Sequence, residues 1–247
     1  MSHPAGLSRP VLVAAAHGTR DPRGRAVVGR LCERVRAARP DLEVRTAWVD
    51  VGVPSLAEVL AQVSTPSVVV PLLLSTGYHV RVDLPRAAAA AGGPTTIASP
   101  LGPDPALPRL VARRLVQAGA GRRVDADAPP LDAVVLAAAG SSDPRAADEV
   151  HTVAEDVSRI LGVPVRAAFA SAAAPDVATA VARARAAGHR AVAVARYLLA
   201  PGFFADAVAA TALAAGAGWV TECLGDDPAL AALVVRRFDA AAAAAAA

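Results

Sequence analysis

The stretch LVAAAHGTRDPR at residues 12–23 returns almost unchanged as VVLAAAGSSDPR at residues 134–145. Each copy is a short apolar run that ends at a glycine and is followed by Asp-Pro, the pattern of a buried parallel strand leading into a helix. Further pairs follow, and the separation between matching positions stays between 121 (45 to 166) and 125 (75 to 200) residues. A whole domain has therefore been duplicated.

The duplication divides the 247 residues into two halves. We predict one domain at 1–120 and a second at 131–247, each large enough to bury a core of its own. The stretch GAGRRVDADAPP at 119–130 is polar and rich in Gly and Pro, which favours a linker.

Apolar strand patterns alternate with helical patterns in both halves. This order predicts the α/β fold class, with each domain a parallel sheet flanked by helices and joined by right-handed crossovers. The first half has predicted strands at 11–16, 43–49, 67–74 and 95–98, and predicted helices at 24–38, from 54, at 82–91 and at 104–117. The second half has predicted strands at 133–138, 165–170, 191–198 and 219–222, and predicted helices at 145–161, 175–187, 203–215 and 228–238.

Composition excludes several classes of protein. The net charge is +3, but every basic residue is an arginine, and these are scattered among acidic residues without a basic block, so nucleic-acid binding is not expected. No run of 18 strongly apolar residues is present, and the first residues lack a signal-peptide pattern, so we expect no membrane partner and a cytoplasmic location. Cys32 and Cys223 stand alone in different halves and are expected to be small buried residues.

Two histidines distinguish the first copy from the second. His17 directly follows the first predicted strand and His79 follows the third, whereas Ala139 and Phe204 occupy the matching positions. The carboxyl ends of parallel strands share one edge of a sheet, where ligands of open α/β folds collect. Asp50 ends the second strand at the same edge. The two imidazoles are therefore expected to face one pocket.

This set suits a divalent transition metal. Two neutral imidazoles and one carboxylate can bind Fe²⁺, Co²⁺, Ni²⁺ or Zn²⁺. Because three protein ligands leave coordination positions open, such a site is suited to transferring a metal ion instead of holding it permanently. The chain has no HExxH motif of the kind found in zinc peptidases. It also has no P-loop or GxGxxG motif, so no nucleotide cofactor is expected. A single histidine after a strand is more often a loop residue than a ligand. His3, His151 and His189 lie in the leader, on a helix and at the amino end of a strand, and are discounted.

These residues resemble a known family. The segment VLVAAAHGTRDP at 11–22 is similar to the opening signature of the sirohydrochlorin chelatases of the CbiX/SirB family. The segment PLLLSTGYHVRVDLP at 71–85 resembles their second signature, and PGFFAD at 201–206 resembles its histidine-free repeat. The resemblance covers nearly the whole chain.

The resemblance implies a class II chelatase that inserts a divalent metal into sirohydrochlorin without ATP, in a cleft between two similar α/β domains. It implies His17 and His79 as active-site residues, with Asp50 where relatives often carry glutamate. The substrate is a polycarboxylate, so Arg20 and Arg81 are candidate partners for its carboxylates. No cofactor beyond the metal substrate is implied, and we expect a monomer.

Three alternatives remain at this point. Cobalt instead of iron would place the enzyme in cobalamin synthesis, and the absence of a His-rich tail mildly favours iron. A carrier would use the same cleft but hold its tetrapyrrole or metal without turnover. A periplasmic solute-binding protein has a similar two-lobed form but is disfavoured by the missing signal peptide.

Overall fold

The structure is a computed structural model that describes residues 9–77, 79–120 and 130–246, with the His79 side chain outside that description. Most of the predicted linker at 119–130 also lies outside the described residues. The strands and helices of the first half are β1 (Val11–Gly18), α1 (Pro22–Ala38), β2 (Val44–Val51), α2 (Leu56–Ala61), β3 (Ser67–Pro71), a π-helical turn (His79–Asp83), α3 (Leu84–Ala89), β4 (Thr95–Ile97) and α4 (Ala106–Gln117).

The second half repeats this order. Its elements are β5 (Ala133–Ala138), α5 (Pro144–Leu161), β6 (Val165–Phe169), α6 (Val177–Ala186), β7 (Val192–Tyr197), α7 (Phe203–Ala214), β8 (Trp219–Val220) and α8 (Pro228–Ala246). Each half forms a four-stranded parallel sheet, in the order β2-β1-β3-β4 and β6-β5-β7-β8. The predicted α/β class and the duplication are confirmed.

Alternation along the central strands divides the core into layers. In β1, Leu12, Ala14 and Ala16 belong to one apolar cluster, whereas Val11, Val13 and Ala15 belong to another. The second cluster lies under α2 and α3 of the same half, and β5 has an equivalent cluster under α6 and α7. The first cluster is shared, because it joins both sheets through α1, α4, α5 and α8. Each half was expected to bury a core of its own. It does so only on the outer face of its sheet, because the inner faces of both sheets contribute to one shared core.

The shared core arises because the last helix of each half packs on the other half. α4 contacts α5 and β7, and α8 contacts α1, β3 and β4. Two arginines fix these crossings: Arg114 donates to the Cys223 and Leu224 carbonyls, and Arg237 donates to the Pro100 and Leu101 carbonyls. The two halves are thereby joined over a broad apolar surface.

One predicted helix differs in kind. In place of a helix at 82–91, the chain makes a π-helical turn from His79 to Asp83 and only then the short helix α3. Pro85 has no N–H to donate to the carbonyl of residue 81, so a regular α-helical ladder cannot run through this position. The last helix, α8, continues through the alanine tail to Ala246, as the alanine-rich composition of that tail favours.

Across the described residues, every helix is too short or too polar to span a bilayer. Both cysteines are buried, as expected.

Candidate functional site at the carboxyl edge of the first sheet

His17 lies at the carboxyl end of the central strand β1, in an exposed position. The pairing of β1 with β2 shifts here, since Ala16 is opposite Trp48 but Gly18 is opposite Val51. The bulge adds one residue to β2 and places Asp50 in the bulged segment beside His17. Gly18 has φ of 122°, and a Cβ there would lie 2.3 Å from the Val51 carbonyl oxygen. Only glycine permits this close approach of the two strands.

The predicted residues of the first half lie along one edge of the sheet. β1, β2 and β3 are adjacent and parallel, so His17, Asp50 and the segment after β3 that leads to His79 share the carboxyl edge. Asp50 lies inside β2, one residue from its end, and is exposed. Among the described side chains, which omit that of His79, no three His, Cys, Asp or Glu residues group as a metal site. The His17, His79 and Asp50 ligand set stays a prediction.

The second half contacts the segment that precedes and follows His79. The backbone N–H of Thr76 donates to Glu149 Oε2 on α5 at 2.6 Å. A Cβ on Gly77 would lie 3.3 Å from Ser141 Oγ in the loop before α5. Burial raises the pKa of the Glu149 carboxyl, the Thr76 N–H lowers it in part, and the nearby charge of Asp143 raises it further.

Arg81, predicted to bind substrate carboxylates, is engaged by the second half. Its Nη1 lies 3.4 Å from Oδ2 of Asp143, the residue that caps the N-terminus of α5. The arginine side chain is 44% exposed, so it can exchange this partner for another anion.

A second set of contacts joins the start of α1 to the start of α7. Arg23 Nη2 pairs with Asp206 at 2.5 Å and with Asp21 at 2.6 Å. The side-chain bond from Arg23 lowers the pKa of Asp21. A Cβ on Gly24 would lie 2.7 Å from the Pro201 carbonyl oxygen, so the loop before α7 packs closely on the start of α1.

An open pocket of about 630 Å³ lies between the loop and first residues of α1 on one side and the start of α7 on the other. Its lining is Thr19, Arg20, Asp21, Pro22, Arg23, Phe203 and Asp206. Arg20 is exposed here, as a carboxylate-binding residue must be.

Aromatic surface in this pocket comes from a residue that the sequence reasoning missed. Phe203 lines the pocket and is 82% exposed, whereas Phe204, the counterpart of His79, is 39% exposed and is not among the lining residues. The two rings meet edge to face, with centroids 5.6 Å apart. Phe203 begins α7 and points away from the core because Ala205 and Val208 form the buried face of that helix. The adjacent pair Phe203-Phe204 was the only signal in the sequence.

The discounted histidines lie away from this edge. His189 precedes β7 at the amino end of the second sheet, with its Nδ1 3.7 Å from Asp132. His151 is an exposed residue of α5 whose ring meets Phe169 edge to face, with centroids 6.0 Å apart. His3 lies outside the described residues.

Comparison with known families explains the repeated architecture. The sequence model of the CbiX family matches residues 11–118 and again residues 133–241. The chain belongs to the CbiX family. This CbiX-family protein consists of two copies of the family unit, and the first copy carries both His17 and His79.

Sequence relatives of the same family are half as long. A sirohydrochlorin cobaltochelatase of Methanosarcina barkeri is 26% identical in an alignment of 123 positions that covers 43% of this chain and 95% of the relative. The corresponding protein of Methanosarcina acetivorans is 25% identical over the same shares. Each of these relatives therefore corresponds to a single copy of the repeat.

Solved structures match the whole two-copy chain. SirB from Bacillus subtilis with Fe³⁺ superposes with a TM-score of 0.76 at 21% identity, over 96% of this chain and 97% of SirB. A CbiX structure, reported as the terminal enzyme for siroheme biosynthesis in denitrifying bacteria, has a TM-score of 0.68 at 25% identity, over 94% and 99%. The predicted chelatase-like fold is confirmed.

Proposed function

We propose that the protein is a sirohydrochlorin chelatase, which inserts a divalent metal ion into the macrocycle without ATP. The observation that carries the proposal is the CbiX family match over both halves. It is supported by the histidines that the first copy alone has at the carboxyl edge of its sheet. Because a single chain contains both copies, the proposal needs no second subunit, in line with the predicted monomer. The cytoplasmic location stays a prediction from the sequence.

The chemistry requires a base and a transient ligand. Insertion exchanges two pyrrole N–H protons for one divalent ion, which leaves its water and protein ligands and binds four macrocycle nitrogens. A neutral imidazole near pH 7 can accept the two pyrrole protons one after the other and release each to water, and a second imidazole can bind the arriving metal. His17 and His79 supply one group for each task, and the exposed Asp50 beside His17 adds negative charge that attracts the cation.

The pocket lined by residues 19–23, Phe203 and Asp206 supplies groups suited to the macrocycle. Its volume of about 630 Å³ lies within the range of small-molecule sites. Arg20 offers a guanidinium to a substrate carboxylate, and Phe203 offers an exposed ring to the apolar face of the tetrapyrrole. Arg81 can join them by exchanging Asp143 for a substrate carboxylate.

We propose Fe²⁺ as the metal ahead of Co²⁺. The CbiX structure of the same two-copy length is reported as an enzyme of siroheme biosynthesis, and siroheme contains iron. Cobalt is the second candidate, because the half-length Methanosarcina relatives are named cobaltochelatases. Competition between equal concentrations of Fe²⁺ and Co²⁺ under anaerobic conditions, read from the absorbance of the two products, decides between them.

The test of the chelatase proposal is metallation of sirohydrochlorin followed by absorbance. His17→Ala and His79→Ala should each lower turnover by roughly 100-fold or more, as expected for loss of a group that transfers a proton or binds the metal. Circular dichroism should remain that of the wild type, since His17 is exposed at a strand end.

Two matched controls use histidines outside the site. His151→Ala and His189→Ala should leave turnover nearly unchanged. Near-normal turnover in His17→Ala or His79→Ala would rule out the assigned roles. Stoichiometric binding of sirohydrochlorin without multiple turnovers would identify a carrier instead of an enzyme.

A further inference from the structure

The segment that leads to His79 is held by a carboxylate from the other copy of the repeat. Thr76, three residues before His79, donates its backbone N–H to Glu149 Oε2 at 2.6 Å. Glu149 lies on α5, half-buried, five residues beyond the helix start. A hydrogen bond to an ionised acceptor at this distance is among the stronger contacts that a loop can make.

Neighbouring contacts fix the same segment on both sides of His79. Gly77 packs against Ser141, and Arg81 pairs with Asp143, both from the loop that leads into α5. The Arg81 N–H also donates to the Gly77 carbonyl at 3.3 Å, which ties the end of the loop to the π-helical turn. The start of α5 therefore contacts the chain before and after His79.

This anchor is absent from the copy that lacks the histidines. By the repeat alignment, Pro201 stands where Thr76 does, and a proline has no N–H to donate. Val27, a buried residue of α1, stands where Glu149 does. The corresponding loop packs instead through the Pro201 carbonyl against Gly24. Both the donor and the carboxylate thus occur only where a histidine follows the loop.

Packing alone does not account for Glu149. Its counterpart Val27 shows that an apolar side chain serves at this point of the equivalent helix, and burial disfavours the charged form of the glutamate. The half-buried carboxylate of Glu149 lowers the stability of the fold, and its hydrogen bond with the Thr76 backbone N–H gives it a role that packing does not.

We propose that Glu149 is a positioning residue, which holds the loop at 75–77 and thereby sets the place of His79 relative to His17. The proposal rests on the chelatase function proposed above. It gives the histidine-free copy a task beyond forming one wall of the cleft: its first helix supplies the support for the catalytic segment of the other copy.

The test removes the acceptor and the donor separately. Glu149→Ala should lower kcat by between about tenfold and a hundredfold, the penalty for misplacing a reacting group by an ångström, with little change in KM for sirohydrochlorin. Thr76→Pro, which copies the sequence of the other repeat, should have a similar effect. The double variant should be no worse than the more impaired single variant, because both changes delete one contact. Glu149→Gln keeps an acceptor oxygen and should recover most of the activity.

A second measurement follows the contact itself. Hydrogen exchange of the Thr76 amide should accelerate by roughly tenfold or more in Glu149→Ala, the equivalent of one charge-assisted hydrogen bond. Glu155→Ala, an exposed glutamate on the same helix, is the matched control and should change neither exchange nor kcat.

Unchanged Thr76 exchange in Glu149→Ala, or faster exchange with normal kcat, would overturn the positioning role. Additive losses in the double variant would do the same. A wild-type protein without chelatase turnover would instead overturn the proposed function, and the exchange measurement would still decide whether Glu149 anchors the loop.

Discussion

Arg23 of the first copy and Asp206 of the second are joined by an ion pair, with 2.5 Å between Nη2 and Oδ2. At the equivalent place across the molecule, Arg81 of the first copy pairs with Asp143 of the second at 3.4 Å. Arg81 and Asp206 are matching positions of the repeat, so the charge at this position is inverted between the copies. At each of these two matching positions the side chain pairs with an oppositely charged residue of the other copy, Arg81 with Asp143 and Asp206 with Arg23.

Asp143 combines two tasks that substitution can separate. Its side chain caps α5 by accepting the Arg145 backbone N–H at 3.1 Å, and it also pairs with Arg81. Asp143→Ala should lower the free energy of unfolding by about 1 kcal/mol through loss of the cap. Asp143→Asn should lower it less, because asparagine caps helices as well as aspartate does. Urea denaturation measures both, and equal losses would show that the ion pair dominates.

Substitution of Gly18 by alanine should destabilise the protein, whereas the same substitution of Gly29 should not. Gly18→Ala places a Cβ 2.3 Å from the Val51 carbonyl oxygen at φ of 122°, so we expect a loss of about 2 kcal/mol or more together with reduced chelatase turnover. Gly29 lies in α1 with nothing within 4 Å of its Cβ position, and Gly29→Ala should stabilise the protein by about 0.5–1 kcal/mol. Thermal unfolding compares them, and a tolerated Gly18→Ala would contradict the close strand approach.

Restoring histidines to the second copy should not restore function. Ala139→His with Phe204→His should fail to rescue a His17→Ala/His79→Ala protein. Ser171 stands where the first copy has Asp50, and its hydroxyl donates to the Ala139 carbonyl at 3.0 Å. The loop before Phe204 also lacks the Thr76–Glu149 anchor. Recovery of a sizeable share of wild-type turnover would show that the cleft is functionally symmetric.

Stability should depend on pH through Glu149. Burial raises its pKa in the folded protein above the ordinary value of 4.5, with the charge of Asp143 adding to the effect. The ionised carboxylate therefore destabilises the fold at neutral pH, and this penalty disappears as pH falls through the raised pKa to below 4.5. Glu149→Gln should be at least as stable as the wild type at pH 7 and lose that advantage in acid.

Urea midpoints of the two proteins measured side by side across this range provide the check. The comparison cancels the other carboxylates, which titrate in both proteins. A wild type that gains stability relative to Glu149→Gln as pH rises would contradict the predicted sign.

The repeat and its strand–helix order were readable from the sequence because their causes are local. Alternation of apolar residues in β1 and β5 decides which face each side chain buries, and Asp-Pro marks the start of α1 and α5. The same local logic placed His17 at a strand end, and parallel pairing then brought it to the same edge as Asp50. Prediction was weakest at the turn from His79 to Asp83, where the missing N–H of Pro85 changes the helix type.

Tertiary structure alone decided how the two copies join. The shared core under α4 and α8, the pocket lining of Phe203 and the Thr76–Glu149 contact all link residues that are far apart in the chain, 73 positions in the last case. No periodicity encodes such a pair, because a hydrogen bond between a loop of one copy and a helix of the other depends on where the packed sheets and helices place them. The sequence determined which groups the site contains, and the packing of one copy against the other determined which of them meet.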